Sequence, residues 1–358
     1  MGSAVVVRLT GMTTRRTPAD APVPIRLRDR LRPPAPGDPR EFTGAAVREP
    51  VRRDVSVADP VSGAAVPLAV FEYLPSPDAG TTTTPGTGVP TTARTVVVIH
   101  GFRGDHHGLA LLADCLPGDR ILAVDLPGFG VSSAFPAAEH SVEHHATAAA
   151  EAVGQLGLPG DAVLLGHSYG SIVAAHLAAR DPRRWAALVL LNPISEPALS
   201  ANGSALDRAA AAVAQGYYEA AARLPERLGD GLLRAPLITW FTTLFMSETA
   251  DVRILAHTHD QHTRYFSAFA TRASLAQAYR ASTTSSVPDS ADRLALPVLL
   301  VAGEEDPMGT PASQRALAER IAEVSPRVSL AMLPGVGHLL HYEKAPECAA
   351  LIEEFLAG

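Results

Sequence analysis

The sequence predicts an α/β protein: a mainly parallel sheet flanked by helices, with a helical cap inserted after the sixth core strand. Three observations carry this. Short, continuous apolar runs alternate with Ala/Leu-rich stretches of helical length, the pattern of strands buried on both faces and joined by crossover helices. One interval of roughly a hundred residues breaks the alternation with helical character of its own, too long for a structureless loop. The length, 358 residues, suits one α/β core carrying an insertion better than two full domains.

Residues 1–60 are rich in proline and arginine and keep no apolar period of 2 or 3.6, so they read as an extended, loosely held segment. Residues 1–53 hold eleven arginines against five acidic side chains. The favoured reading is a solvated extension, or a true start at Met12; the other is a basic arm for an anionic partner. Predicted strands follow at Leu68–Tyr73, Thr95–Ile99, Ile121–Val124, Ala162–Leu165, Ala187–Leu191, Val298–Ala302 and Val328–Leu333. The first belongs to an antiparallel hairpin, and a Gly/Thr/Pro stretch at 79–92 forms a flexible surface loop. Predicted helices lie at Gly108–Leu116, Glu143–Leu158, Ile172–Arg180, Ser313–Val324 and Pro346–Leu356. The core is therefore 61–194 with 291–358. The cap is 195–290 and includes Ala205–Arg223, the apolar run LITWFTTLFM at 237–246, and His257–Arg280.

Composition excludes several classes of function. A hydrophobic content of 47 % supplies a large core and argues against disorder. A net charge of −7 is ordinary for an enzyme and unhelpful to nucleic-acid binding. No apolar run is long enough to span a bilayer and the first residues lack a secretory pattern, so a soluble cytoplasmic protein with no membrane partner is expected. Two cysteines, Cys115 and Cys348, make neither a disulfide framework nor a metal site. Arginine almost wholly replaces lysine, which with heavy Ala and Pro usage suggests a GC-rich bacterial coding bias.

The strongest chemical signal is Gly166-His167-Ser168-Tyr169-Gly170, between the strand AVLL and the helix SIVAAHLAAR. A serine on so sharp a strand-to-helix turn needs glycine on either side, because larger residues would collide with the adjoining strand and helix. With these flanks the chain resembles the α/β-hydrolase superfamily, over about residues 61–358, the cap matching only in position. His100-Gly101-Phe102-Arg103-Gly104 resembles the segment that helps build the oxyanion hole. Asp125-Leu126-Pro127-Gly128-Phe129-Gly130 resembles an architectural turn in which Asp125 bonds local backbone. The resemblance makes Asp306, three residues after Gly303, the acid, and His338, after Gly337, the base; Glu304 and Glu305 neighbour the acid, and His341 is the rival base.

The implied mechanism is nucleophilic attack by Ser168, with His338 as general base and Asp306 orienting it. The backbone N–H groups of Phe102 and Tyr169 would form the oxyanion hole. His100, Arg103, His167 and Trp240 are candidate pocket residues, and Arg103, Asp105, His106 and His107 either touch substrate or brace the loop. A serine at the elbow argues against dehalogenases and epoxide hydrolases, which use a carboxylate. No cofactor or metal is implied. The expected function is hydrolysis of a small-to-medium, largely apolar carboxylic ester or thioester, a small-molecule substrate. Alternatives are a cofactor-free non-hydrolytic enzyme on the same scaffold (acyl transfer, carbon–carbon cleavage or cyclisation) and a non-catalytic binding protein.

Overall fold

Continuous β-branched and leucine runs can be buried only where both faces of a sheet are covered, and this requirement sets the architecture. The computed structural model describes residues 6–9, 23–77, 93–198 and 205–358. Its nine strands are β1 (Val6–Leu9), β2 (Val51–Ala58), β3 (Ala65–Tyr73), β4 (Thr95–Ile99), β5 (Arg120–Val124), β6 (Val163–His167), β7 (Ala187–Leu191), β8 (Val298–Gly303) and β9 (Val328–Leu333). They form one sheet in the order β1-β9-β8-β7-β6-β4-β5-β3-β2. All pairings are parallel except those of β3, which is antiparallel to both β2 and β5. The seven predicted runs are all strands, and the expected hairpin is β2–β3.

Strand periodicity divides the core in two. Val97 and Ile99 of β4 point to one apolar layer with Ala149 and Val173, from helices Val142–Gly154 and Tyr169–Arg180. Val96 and Val98 point to the other, with Leu112 and Ile352, from helices Ala110–Asp114 and Ala345–Ala357. Between β7, the sixth strand counted from β2, and β8 lie helices Ala205–Arg223, Glu226–Leu233, Pro236–Met246, Val252–Tyr265 and Arg272–Thr284. Among the described residues no helix is long and apolar enough to cross a membrane.

The loosely held N-terminal segment expected over 1–60 needs correction. β1 pairs with the edge strand β9, and β2 completes the opposite edge. Over residues 23–48 the chain straps the helical insertion to the core. The Val23 carbonyl accepts from the Val252 N–H at 2.9 Å, and the Arg30 carbonyl from Trp240 Nε1 at 3.3 Å. Arg48 anchors the other end: its backbone N–H donates to Asp114 at 2.8 Å. Its guanidinium reaches the carbonyls of Leu74 (3.1 Å), Asp119 (3.0 Å) and Ala113. Sequence periodicity could not reveal this, because a strap held by polar contacts carries no apolar repeat. The stretch 79–92 and Met12 lie outside the described residues.

Arg48→Ala would leave three inward-facing carbonyls without their charged donor. A loss of about 2–4 kcal/mol is expected, read from chemical unfolding; unchanged stability would mean that the strap bears no load.

Candidate active site

The parallel strands end along one edge of the sheet, and Ser168, Asp306, His338 and the His100–Gly104 loop all follow those ends. Ser168 follows β6 and is fixed by its turn at φ 53°, ψ −122°, a conformation unfavourable for a residue with a Cβ. Its neighbours explain why the turn requires glycine. A methyl group at Gly170 would strike the Ile99 carbonyl of β4, and one at Gly166 would strike the Gly170 carbonyl. The Ser168 N–H donates to the Leu191 carbonyl at 3.1 Å, so β7 also holds the elbow.

Asp306 follows β8 and His338 follows β9. His338 Nδ1 lies 2.9 and 3.0 Å from the two Asp306 carboxylate oxygens, and its Nε2 lies 2.7 Å from Ser168 Oγ. With the proton on Nδ1 donated to Asp306, Nε2 is free to accept from the serine hydroxyl. The rival histidine, His341, makes no bond to Ser168; its ring packs at 4.0 Å from that of His167, and burial together with its histidine neighbours holds its pKa well below the usual value. Glu305 braces the turn by accepting from the Val336 N–H at 3.1 Å.

Sequence reasoning missed Asn192, the residue that sets the His338 turn. Its Nδ2 donates to the Gly337 and His338 carbonyls at 2.9 and 2.8 Å, and its Oδ1 accepts from the Gly303 N–H at 2.8 Å. It adopts φ 41°, which asparagine tolerates better than most residues. A lone Asn after a strand was the available signal, and it is too common to read. The insertion grips the same turn, because the His338 N–H donates to the Met246 carbonyl at 2.9 Å.

Tyr169 opens its helix, so its N–H has no intrahelical carbonyl to meet. Gly101 packs tightly against the Ser168 side chain, which brings the His100–Gly104 loop to the elbow. His100 is spent structurally: Nδ1 bonds the Gly101 carbonyl at 2.8 Å, and Nε2 accepts from the Leu126 N–H at 3.1 Å. Arg103, fully buried, is a brace to the insertion. Its Nε and Nη2 donate to the Phe266 and Leu233 carbonyls at 2.9 and 2.7 Å, and its guanidinium lies over the Phe266 ring. His167 Nε2 donates to the His338 carbonyl at 3.0 Å, and burial, then the nearby His338, pushes its pKa down to about 3.

Asp105, His106 and His107 bring potential metal-ligand atoms within 4.8 Å of one another. Their bonds point instead to loop bracing: His106 Nδ1 lies 3.0 Å from Asp125 and His107 Nδ1 3.1 Å from Asp105, while Phe71 and Tyr265 stack on the two rings. Asp125 also accepts from the His106 and Val131 N–H groups at 2.8 and 3.1 Å. Burial opposes its charge, but these bonds prevail and hold the pKa below the usual carboxylate value.

A cavity of about 850 Å³ opens over Ser168 and His338, walled by core loops and by insertion residues such as Phe241, Phe245, Tyr265 and Tyr279. His100, Arg103 and His167 line it. Trp240 does not: half-buried, it faces the strap rather than the cavity. The expectation that it lines the pocket fails because Trp240 and Phe241, adjacent on a helix, point about 100° apart.

Residues 94–345 match the family model described as the alpha/beta hydrolase fold. The chain belongs to this family. It is 25 % identical over 281 residues, 75 % of this chain and 92 % of the relative, to a Bacillus subtilis (strain 168) protein provisionally named 2-succinyl-6-hydroxy-2,4-cyclohexadiene-1-carboxylate synthase. It is 41 % identical to Lipase LipV of Mycobacterium tuberculosis (strain ATCC 25618 / H37Rv) over 98 residues, covering 27 % of this chain and 36 % of that one. Among solved structures it resembles a thermophilic esterase from Thermogutta terrifontis, with a TM-score of 0.66 and 22 % identity over 85 % of this chain and 98 % of the other.

Two consequences follow for this α/β hydrolase. Trp240→Ala should cost about 1–3 kcal/mol, less than for a full core tryptophan, and leave the preference for substrate size unchanged. A shifted chain-length profile would return Trp240 to the pocket wall.

Glu343, buried just beyond the His338 turn, accepts from the Glu248 N–H of the insertion at 3.1 Å, and burial pushes its pKa up to about 8. In the unfolded chain the carboxyl ionises near its ordinary value, whereas the folded protein keeps the proton until about pH 8. The native state then binds more protons across that window, so stability falls as pH rises through it. Glu343→Gln has no proton to lose, and its advantage in thermal midpoint over wild type should grow from about pH 5 to about pH 8. A gap independent of pH would show that this carboxyl is ionised in the fold.

Proposed function

We propose that the chain is a serine hydrolase that cleaves a small-to-medium, largely apolar carboxylic ester or thioester through an acyl-serine intermediate. The observation that carries the reading is the continuous hydrogen-bonded chain Ser168–His338–Asp306 at the floor of the cavity. Ser168 Oγ attacks the acyl carbonyl as His338 Nε2 takes its proton; Asp306 stabilises the imidazolium and keeps Nδ1 directed at itself. The N–H groups of Tyr169 and Phe102 receive the oxyanion, each such donor typically contributing roughly 3 kcal/mol to lowering the barrier. The N-terminus of helix Tyr169–Arg180 adds its positive end. His338 then returns the proton to the leaving alcohol or thiol, and water, activated by the same imidazole, releases the acid. No step requires a metal or cofactor. The reading takes a cytoplasmic enzyme and a small molecule as substrate, one of a size that a cavity of about 850 Å³ can hold.

A second reading, cofactor-free non-hydrolytic chemistry on the same residues, is favoured by the synthase name of the Bacillus relative. Product analysis in heavy-oxygen water separates the two, since only hydrolysis places solvent oxygen in the acid.

Ser168→Ala should lower turnover of p-nitrophenyl esters by ~10⁴–10⁶ without unfolding the protein. His338→Ala should do nearly the same, and His341→Ala should retain most activity. Retention of more than a tenth of the wild-type rate by Ser168→Ala would end the acyl-serine reading.

A further inference from the structure

The helix Pro236–Met246 is packed inside out. Its protein-facing side carries threonines: Thr239 and Thr243 are buried, and Thr243 Oγ1 shares a hydrogen bond with His262 Nδ1 at 2.9 Å. Its outward side carries Leu237, Phe241 and Phe245, which are 70, 61 and 54 % exposed. These three recur at four-residue spacing and so form one stripe. The strap helix Leu27–Leu31, tied to the same helix by the Trp240–Arg30 bond, adds Leu27 and Leu31 at 75 and 55 % exposure. Single exposed apolar residues occur on other helices, such as Val213 and Leu228, but a stripe of this kind beside two further exposed leucines marks an interaction site.

Two features identify the occupant. Arg26, Arg28, Arg30 and Arg32 flank Leu27 and Leu31 with Asp29 as the one acid among them, so the apolar patch carries a cationic border. Phe241 and Phe245 also line the mouth of the cavity above Ser168, so the patch is continuous with the route to the site. A surface that joins exposed Leu and Phe to arginines fits the boundary between the headgroups and acyl chains of an anionic lipid layer.

We propose that this face docks the protein on an anionic lipid–water interface, from which an amphiphilic ester passes over the stacked rings of Phe241 and Phe245 into the cavity. Delivery of an ester rests on the acyl-serine reading; docking does not. The sequence led to the expectation of no membrane partner because no segment spans a bilayer, but surface docking needs none.

The test uses the full chain carrying Ser168→Ala, so that lipid is not consumed, and vesicles of phosphatidylcholine with or without phosphatidylglycerol. Co-sedimentation is expected with the anionic vesicles and should weaken as salt rises. Leu27→Ser/Leu31→Ser/Leu237→Ser, at exposed positions outside the cavity, should reduce partitioning by roughly tenfold. Arg26→Gln/Arg28→Gln/Arg32→Gln should abolish the preference for anionic lipid. The same variants with Ser168 restored should turn over water-soluble p-nitrophenyl acetate at the wild-type rate. That assay judges the hydrolase reading separately, because loss of turnover with vesicle binding intact would sink the ester and not the docking. Absence of vesicle binding, or equal binding by the leucine variant, would overturn the proposal. So would a dimer in sedimentation velocity that the leucine variant dissociates, which would make the face a contact between two copies of the chain.

Discussion

The position of Ser168 depends on how closely three adjacent parallel strands, β4, β6 and β7, can approach at their C-terminal ends. Among the described residues, three without the freedom of glycine have positive φ: Arg103, Ser168 and Asn192. One follows each of those strands. Each strained residue costs roughly 1–3 kcal/mol and persists only where the surroundings over-determine it. Here they do. Asn192 is held by four bonds, its own N–H to the Val301 carbonyl included; Arg103 spans from the loop to two carbonyls of the insertion; and Ser168 is pinned between Gly166 and Gly170. The sheet stores its strain where its side chains converge on the cavity.

Electrostatics separates the histidines that strain and packing bring together. His100, His167, His262 and His341 line the cavity, and for each of them burial favours the neutral ring. Neutral imidazoles can wall a pocket without placing charge near a developing oxyanion. His338 differs from these four in having a carboxylate on one nitrogen and a serine on the other. Proximity to Ser168 therefore does not by itself distinguish a base; a buried anion behind the ring does.

Much of this was legible in the sequence, for a physical reason. Val97, Leu164 and Leu300 sit in runs whose apolar continuity has one explanation, a strand covered on both sides, and glycines at 166 and 170 have one explanation beside a serine turn. That Asp306 and His338 would meet at Ser168 was readable through resemblance and chain order, not through any property of an isolated Asp or His. What escaped was fixed by contacts distant in sequence. Asn192 acts on a turn 145 residues away, and Arg48 reaches carbonyls 65 and 71 residues away. Trp240 failed for a different reason. Aromatic content marked its helix as interactive, but the helix turns its threonines inward, and composition does not say which face is which.

The bonds of the helical insertion argue for a rigid part rather than a movable lid. The Met246 carbonyl accepts from the His338 N–H, Glu343 accepts from the Glu248 N–H, and Arg103 reaches the Leu233 and Phe266 carbonyls. Each joins the insertion to a residue within five positions of the proposed base or to the loop beside the proposed nucleophile. Swinging the whole insertion away would unpair buried backbone groups and one buried guanidinium, at a cost well above that of moving a solvated loop. Access to Ser168 is cheaper through side-chain movement at the rim, where Phe241 and Phe245 are exposed and unbraced by hydrogen bonds. The family fold thus fixes the chemistry at the strand ends. The insertion is bonded to residues at those strand ends along one side, and its exposed Phe241 and Phe245 border the cavity above Ser168.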